Sequence, residues 1–350
     1  LINFYPGPSK IDERLSLWLN EGLESGMIEM NHRSEAFMFQ YREIVDLFQE
    51  VFDLPQDFEV YFTSSATECW EIIAQGFSEK SFLHVFNGAF GEKWANMNVA
   101  LENDVKSERF IYSSFPPELK NVKEDIICLT QNETSNGSKL PDTYLTELRS
   151  WNPESIIAVD ATSSMAGVEL PWLAADIWFA SVQKCFGLPA GMGILFMHKR
   201  LLNETSEKAY YNHIGNLHKH YSNWQSPYTP NTANIYYLWQ LLQEHRGLKL
   251  ISEKIKKRAK HIYSRIKAID GFEILVENQE LRSDTVITVK ISEHELKDLK
   301  SYLESREIML GNGYGPWKNE TFRIANFPAI KRAEYDVLFK QIDKWAKKRL

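Results

Sequence analysis

Residues 176–193 read DIWFASVQKCFGLPAGMG. The run from Ile177 to Val182 has the apolar character of a buried strand. A polar pair, Gln183–Lys184, and a Gly/Pro-rich turn follow it. A lysine at the end of a buried strand either snorkels to water or does chemistry. Working outward, similar runs stand at DIICLT (125–130), SIIAVDA (155–161) and MGILFM (192–197). FEVYFTSSATECWEIIAQGF (58–77) reads as strand, small polar turn and helix, and SFLHVFNGAFGEKWANMNVAL (81–101) repeats that order. Apolar strands alternating with helices predict an α/β fold whose mainly parallel sheet is covered by helices on both faces. IDERLSLWLNEGLESG and AFMFQYREIVDLFQEVFDL, before these strands, have helical apolar spacing.

The composition changes near residue 245. LKLISEKIKKRAKHIYSRIKAI (248–269) is a long amphipathic helix whose basic run reads as a solvated face. Strands at FEILV (272–276) and DTVITVKI (284–291), a helix at 293–308, a strand near TFRIANF (321–327) and a helix at 332–349 complete the chain. The expected division is a large domain over 1–245 and a smaller C-terminal α+β domain over 246–350.

Bulk properties exclude several classes. The 350 residues are 43% hydrophobic and 25% charged, an ordinary globular balance. A formal charge of −7 argues against nucleic acid as a partner. Three cysteines without metal-ligand spacing (Cys69, Cys128 and Cys185) suit a reducing compartment. No apolar run approaches a membrane span and no leader is recognisable, so a cytoplasmic location is expected.

Asp160 and Lys184 each end a predicted strand. Parallel strands put their C-terminal ends on one sheet edge, where open α/β sheets bind ligands. A desolvated lysine there is a nucleophile toward carbonyls, and an aspartate is what a pyridinium nitrogen needs. On these two residues alone a structural Asp–Lys pair is the better account. Three further turns fit the same edge. TSSAT offers a helix N-terminus to an anion, although an ordinary N-cap explains it too. NGAFGEKW offers Phe90 as a ring cover, or as a core aromatic. QNETSNG offers Thr134, or an ordinary Asn/Gly turn. Together the turns suit pyridoxal 5′-phosphate (PLP), with its ring, its phosphate and its carbonyl.

The segments NFYPGP (3–8), NHRSEAF (31–37), TSSAT (63–67), NGAFGEKW (87–94), QNETSNG (131–137), VDATSSMAG (159–167), ASVQKCFGLPAGMG (180–193) and TPNT (229–232) resemble class V aminotransferases of PLP fold type I. Among these they are most similar to the members that act on phosphoserine. GLPAGMG stands where the family usually has GPAG. The resemblance implies Lys184 as the Schiff-base lysine and proton shuttle, and Asp160 as partner of the pyridine nitrogen. It implies Phe90, often Trp in the family, as the stacking residue, and Thr134 near the ring hydroxyl. Ala66, Thr67 and Gln183 would hold the phosphate. Tyr228 and Thr229 match phosphate contacts that cross from a second copy, which implies a homodimer with shared active sites. Arg323 would hold the substrate α-carboxylate, and His32 and Arg33 a distal anion.

The family's phosphoserine members carry a second His–Arg pair shortly before the carboxylate arginine. Here that region reads GYGPWKNETFR (313–323), with Pro316 and Trp317 near the place of the pair. Lys318 supplies a point charge there without Arg's planar fork. The expected reaction is phosphoserine:2-oxoglutarate transamination in serine biosynthesis, with glutamate as the second amino acid. The alternative is another class V aminotransferase, one using serine or alanine with glyoxylate or pyruvate. A cysteine desulfurase is disfavoured: no cysteine follows Cys185, and Gln183 stands where those enzymes have His. A catalytically silent binding protein would have no need of Lys184 and Asp160.

Overall fold

The computed structural model describes residues 1–206 and 211–348. A short strand, β1 (Ile2–Phe4), leads to helices α1 (Leu15–Ser25) and α2 (Glu35–Phe52). The Ser34 side chain caps α2 by accepting the Phe37 N–H at 3.3 Å. Phe37, Tyr41, Ile44, Val45, Phe48 and Phe52 recur at helical spacing and are buried. This apolar stripe is why the segment docks as a helix.

The strand–turn–helix pattern then unfolds as the sequence predicts. β2 (Phe58–Thr63) leads into α3 (Ala66–Gly76), and β3 (Ser81–Phe86) into α4 (Ala89–Ala100). After β4 (Asp104–Arg109) and β5 (Ile126–Thr130) come a two-stranded ribbon, β6 (Asn132–Glu133) with β7 (Ser138–Lys139), and helix α5 (Tyr144–Trp151). β8 (Ile156–Asp160), β9 (Ile177–Ser181) and β10 (Gly193–His198) follow. The large sheet has the order β2-β10-β9-β8-β5-β3-β4. Only β10 runs against the others, pairing antiparallel with both β2 and β9. Every residue of β2, β8 and β9 is buried, as strands with helices on both faces must be.

Helices α6 (Ile214–Tyr221), α7 (Thr232–Gln243) and α8 (Leu248–Lys267) lead to the second sheet. It contains β11 (Glu273–Ile274), β12 (Val286–Lys290), β13 (Ile308–Asn312) and β14 (Thr321–Ala325), covered by α9 (Glu293–Glu304) and α10 (Arg332–Lys347). The order is β1-β13-β14-β12-β11, so residues 2–4 complete the C-terminal sheet, with Ile2 beside Ile308.

Two predicted elements change. The helix expected to reach Ile308 stops at Glu304; the chain turns through Glu307, at φ 57°, and Ile308 begins β13. The strand expected over 272–276 is shortened to Glu273–Ile274, paired against Lys290 and Val289, and the Leu275 N–H adds one bond to the Thr288 carbonyl at 3.1 Å.

Candidate active site

The C-terminal ends of β2, β3, β5, β8 and β9 share one edge of the large sheet, because all five run in the same direction. Thr130 and Asp160 end adjacent strands in register. Ser181 ends β9, three residues before Lys184. A cavity of about 490 Å³ opens there, roofed by Tyr5–Pro8 from the N-terminal segment and by residues 312–315 of the small sheet's loop. Ala66, Thr67, Phe90, Thr134, Asp160, Gln183, Lys184, Lys318 and Arg323 all line it.

Lys184 is 7% exposed, and its Nζ donates to Thr134 Oγ1 at 2.9 Å. Burial drives its pKa down to about 8; Asp160 and Glu133 pull the other way, and Arg323 adds to the fall. Its Nζ also stands 5.1 Å from the centre of the Phe90 ring. Asp160 is 4% exposed. Its Oδ1 accepts the Thr162 N–H at 2.8 Å and its Oδ2 the Trp70 indole N–H at 3.1 Å. Burial raises the Asp160 pKa, against the pull of Thr162, Lys184 and Trp70.

Arg323 lies on β14 and is 4% exposed. It donates to the Thr134 carbonyl at 2.8 Å and to the Asn312 carbonyl at 2.6 Å. Burial lowers its pKa. Thr134 therefore touches the amine through its hydroxyl and the guanidinium through its carbonyl. Tyr314 stacks on Phe90, with centroids 5.2 Å apart and planes at 27°, and its hydroxyl is 2.5 Å from Lys93 Nζ. α3 starts beside this group, where the Ser65 side chain caps by accepting the Glu68 N–H and Ala66 N–H donates to Ser181 Oγ at 2.7 Å.

Such an arrangement holds an amine and a carboxylate binder on one residue, Thr134, in a cavity with a hydrogen-bonded buried acid. A family model described as aminotransferase class-V matches residues 3–316. The chain belongs to the class-V aminotransferases. The phosphoserine aminotransferase of Cytophaga hutchinsonii superposes with a TM-score of 0.92 at 30% identity, covering 98% of each chain. The aspartate aminotransferase of Thermus thermophilus, at 21% identity, a TM-score of 0.87 and full coverage of both chains, shares the fold. Among curated relatives, the phosphoserine aminotransferase of Rhodococcus opacus is 28% identical over 207 residues. That match takes in 57% of this chain and 53% of the relative, so the chain spans about half the length of that protein.

The cofactor of this class-V aminotransferase is pyridoxal 5′-phosphate, and the cavity fits it. Gln183 Oε1, Thr130 Oγ1 and Thr162 Oγ1 line the cavity as buried polar atoms without a hydrogen-bond partner among the described residues. Orphaned groups of this kind, beside a lysine, an acid and an aromatic face, suit a polar ring with a phosphate arm. The Cys185 thiol lies in the turn behind Lys184, hydrogen-bonded to the Ser163 carbonyl at 3.4 Å, and burial keeps it protonated by raising its pKa.

His32, Arg33, Tyr228 and Thr229 lie outside this cavity. Arg33 donates to Gln225 Oε1 at 2.6 Å and lies 3.0 Å from His220 Nδ1. Tyr228 donates to the Phe62 carbonyl at 2.8 Å, and Thr229 is exposed. The Arg33–Gln225 bond joins the two segments into one surface. Sequence reasoning missed Trp70, Glu133 and Tyr314. Glu133 had a signal, as an acidic residue in a polar turn after a buried strand. Trp70 and Tyr314 had none. Among the described residues no helix is long and apolar enough to cross a membrane.

Proposed function

We propose that this chain transfers an amino group between an α-amino acid and a 2-oxo acid, with phosphoserine and glutamate as the amino acids. The observation that carries the reading is Thr134, which binds Lys184 and Arg323 at once, at 2.9 and 2.8 Å. A substrate whose α-carboxylate met Arg323 would present its amino-bearing carbon toward Lys184 Nζ. A guanidinium fork suits that carboxylate. Bound PLP supplies an electron sink for the charge that develops at Cα.

The chain's residues do the rest. Lys184 would hold the cofactor, and its free amine, with a pKa lowered by burial to about 8, would carry the Cα proton on Nζ. Asp160, fixed by Trp70 and Thr162, keeps the pyridine nitrogen protonated. Phe90 covers the ring. Ala66, Thr67 and Gln183 would take the phosphate at the start of α3, where the helix dipole favours an anion and the Ala66 N–H would exchange Ser181 Oγ for it. Lys318, exposed at the cavity mouth, faces the distal anion.

The surface carrying His32, Arg33, Tyr228 and Thr229 serves the cavity of a second copy in a homodimer. The proposed division is a large domain over 1–245 and a smaller one over 246–350, with residues 2–4, which pair with β13, going with the second. A cytoplasmic site in serine biosynthesis fits these substrates. A second reading, serine or alanine with glyoxylate or pyruvate, is favoured by Pro316 and Trp317, which leave Lys318 without the forked distal cation that the phosphoserine members have.

The test is the visible spectrum of the PLP-loaded protein. Bleaching of the yellow band by L-phosphoserine, and recovery with 2-oxoglutarate, is expected. A band that ignores phosphoserine and yields to alanine or serine moves the substrate to the second reading.

A further inference from the structure

Glu133 is a buried carboxylate that this chemistry leaves unused. It is 2% exposed at the end of β6, one residue before Thr134. Its Oε1 accepts the Ser135 N–H at 2.9 Å. Its Oε2 accepts the N–H groups of Phe90 at 3.2 Å and Gly91 at 3.3 Å, in the first turn of α4. The remaining N–H of that start, on Ala89, donates to Ser135 Oγ at 3.0 Å. The first three backbone donors of α4 are thus all satisfied by residues 133 and 135. A Cβ at Gly88 would come 2.3 Å from Glu133 Cγ, so glycine is what lets the carboxylate enter.

Two consequences follow. A helix N-terminus is an anion site, and in α4 the chain fills it with its own carboxylate. The cofactor's phosphate is left to α3, and α4 becomes a fixed mount for Phe90. Burial raises the Glu133 pKa, and nearby Asp160 adds to the rise; against them, the three hydrogen bonds to Glu133 are all donated by backbone N–H groups, an arrangement suited to an ionised carboxylate. With Asp160 it balances the buried charges of Lys184 and Arg323, all four being at most 7% exposed. Unbalanced charges in such a place are costly.

We propose that Glu133 is a positioning residue: it welds the Phe90 ring cover to the Thr134 hub, and supplies the fixed negative charge that sets the working state of Lys184. This rests on the roles given above to Lys184, Phe90 and Thr134. The burial-lowered pKa of Lys184, which Glu133 opposes, agrees with it.

The experiment compares PLP-loaded wild type, Glu133→Gln and Glu133→Asp, each first checked for folding by circular dichroism and thermal melting. The primary readout is the pH midpoint of the visible band, together with the equilibrium constant for PLP uptake by cofactor-free protein. Glu133→Gln keeps the length and one acceptor but loses the charge, and its amide NH₂ meets backbone donors. The midpoint is expected to fall by about one pH unit. The kcat should drop on the order of tenfold or more with KM for the amino donor nearly unchanged. Glu133→Asp keeps the charge and should restore the wild-type midpoint. A Glu133→Gln protein that melts lower but keeps the wild-type midpoint and kcat makes Glu133 a helix cap only, and overturns the proposal. Wild type without any visible band on PLP addition overturns the reading of Lys184, and this proposal with it.

Discussion

Lys184 should weaken the cofactor-free fold at neutral pH. Burial takes its pKa from the ordinary 10.5 to about 8. At ~1.4 kcal/mol per pH unit, holding the ammonium in the cavity costs about 3 kcal/mol. Below about pH 8 the amine is protonated in both folded and unfolded chains, and the whole cost applies. Between about 8 and 10.5 the unfolded chain binds a proton that the native one has released, so native stability rises with pH. Above about 10.5 both forms are neutral and the cost is gone. Lys184→Met keeps an unbranched side chain and removes the charge. It also removes the 2.9 Å bond to Thr134, worth about 1 kcal/mol. Cofactor-free Lys184→Met should therefore be more stable than wild type by about 2 kcal/mol near pH 7. That advantage should shrink, and then reverse slightly, as the pH approaches 10.5. Urea denaturation of both proteins across this range measures it. A variant that is no more stable near neutrality, with a difference that does not change with pH, refutes the reasoning.

Asp160→Asn loses the charge and can accept from only one of the Thr162 and Trp70 N–H groups, its amide NH₂ meeting the other donor; turnover is expected to fall on the order of 100-fold while PLP still binds, as steady-state kinetics and absorbance will show. Arg323→Lys replaces a fork with a point charge, so KM for amino donors should rise about 10- to 100-fold with the fold intact. If active sites are shared, mixing inactive Lys184→Ala with Arg33→Ala protomers should restore phosphoserine turnover, because each mixed dimer regains one whole site. Mixed samples no better than the sum of the separate variants would place Arg33 in its own chain's chemistry or in none.

The large sheet was legible because its central strands are apolar on both faces and each ends in a small-residue turn. Asp160 and Lys184 were readable together, since same-direction strands bring their ends to one edge. β4 was hidden: DVKSER alternates and carries charge because it is an edge strand with exposed residues. β13 was hidden too, because the apolar spacing of α9 continues through Leu303 to Ile308 and only the positive φ at Glu307 breaks it. Trp70 faces Asp160 across ninety positions of chain, and no local pattern reports such a pairing. Tyr314 stood among Pro316, Trp317 and Lys318, whose departure from the family's pair drew the attention. His32, Arg33, Tyr228 and Thr229 could be chosen only by resemblance, since one chain alone does not bring them to the cavity.

The pairing of β1 with β13 also bears on synthesis. Ile2 leaves the ribosome long before Ile308, and cannot find its place until the C-terminal region exists. Tyr5, Pro6, Gly7 and Pro8, which follow β1 directly, form part of the cavity wall, and a Cβ on Gly7 would lie 3.3 Å from Lys184 Cε. Closing so long a loop is slow and entropically unfavourable until its contacts form. The nascent large sheet can therefore carry Lys184 and Asp160 while the pocket still lacks its roof. A chain interrupted before β13 would leave the reactive amine open to water and to stray aldehydes, and the completed fold closes that opening with residues 5–8.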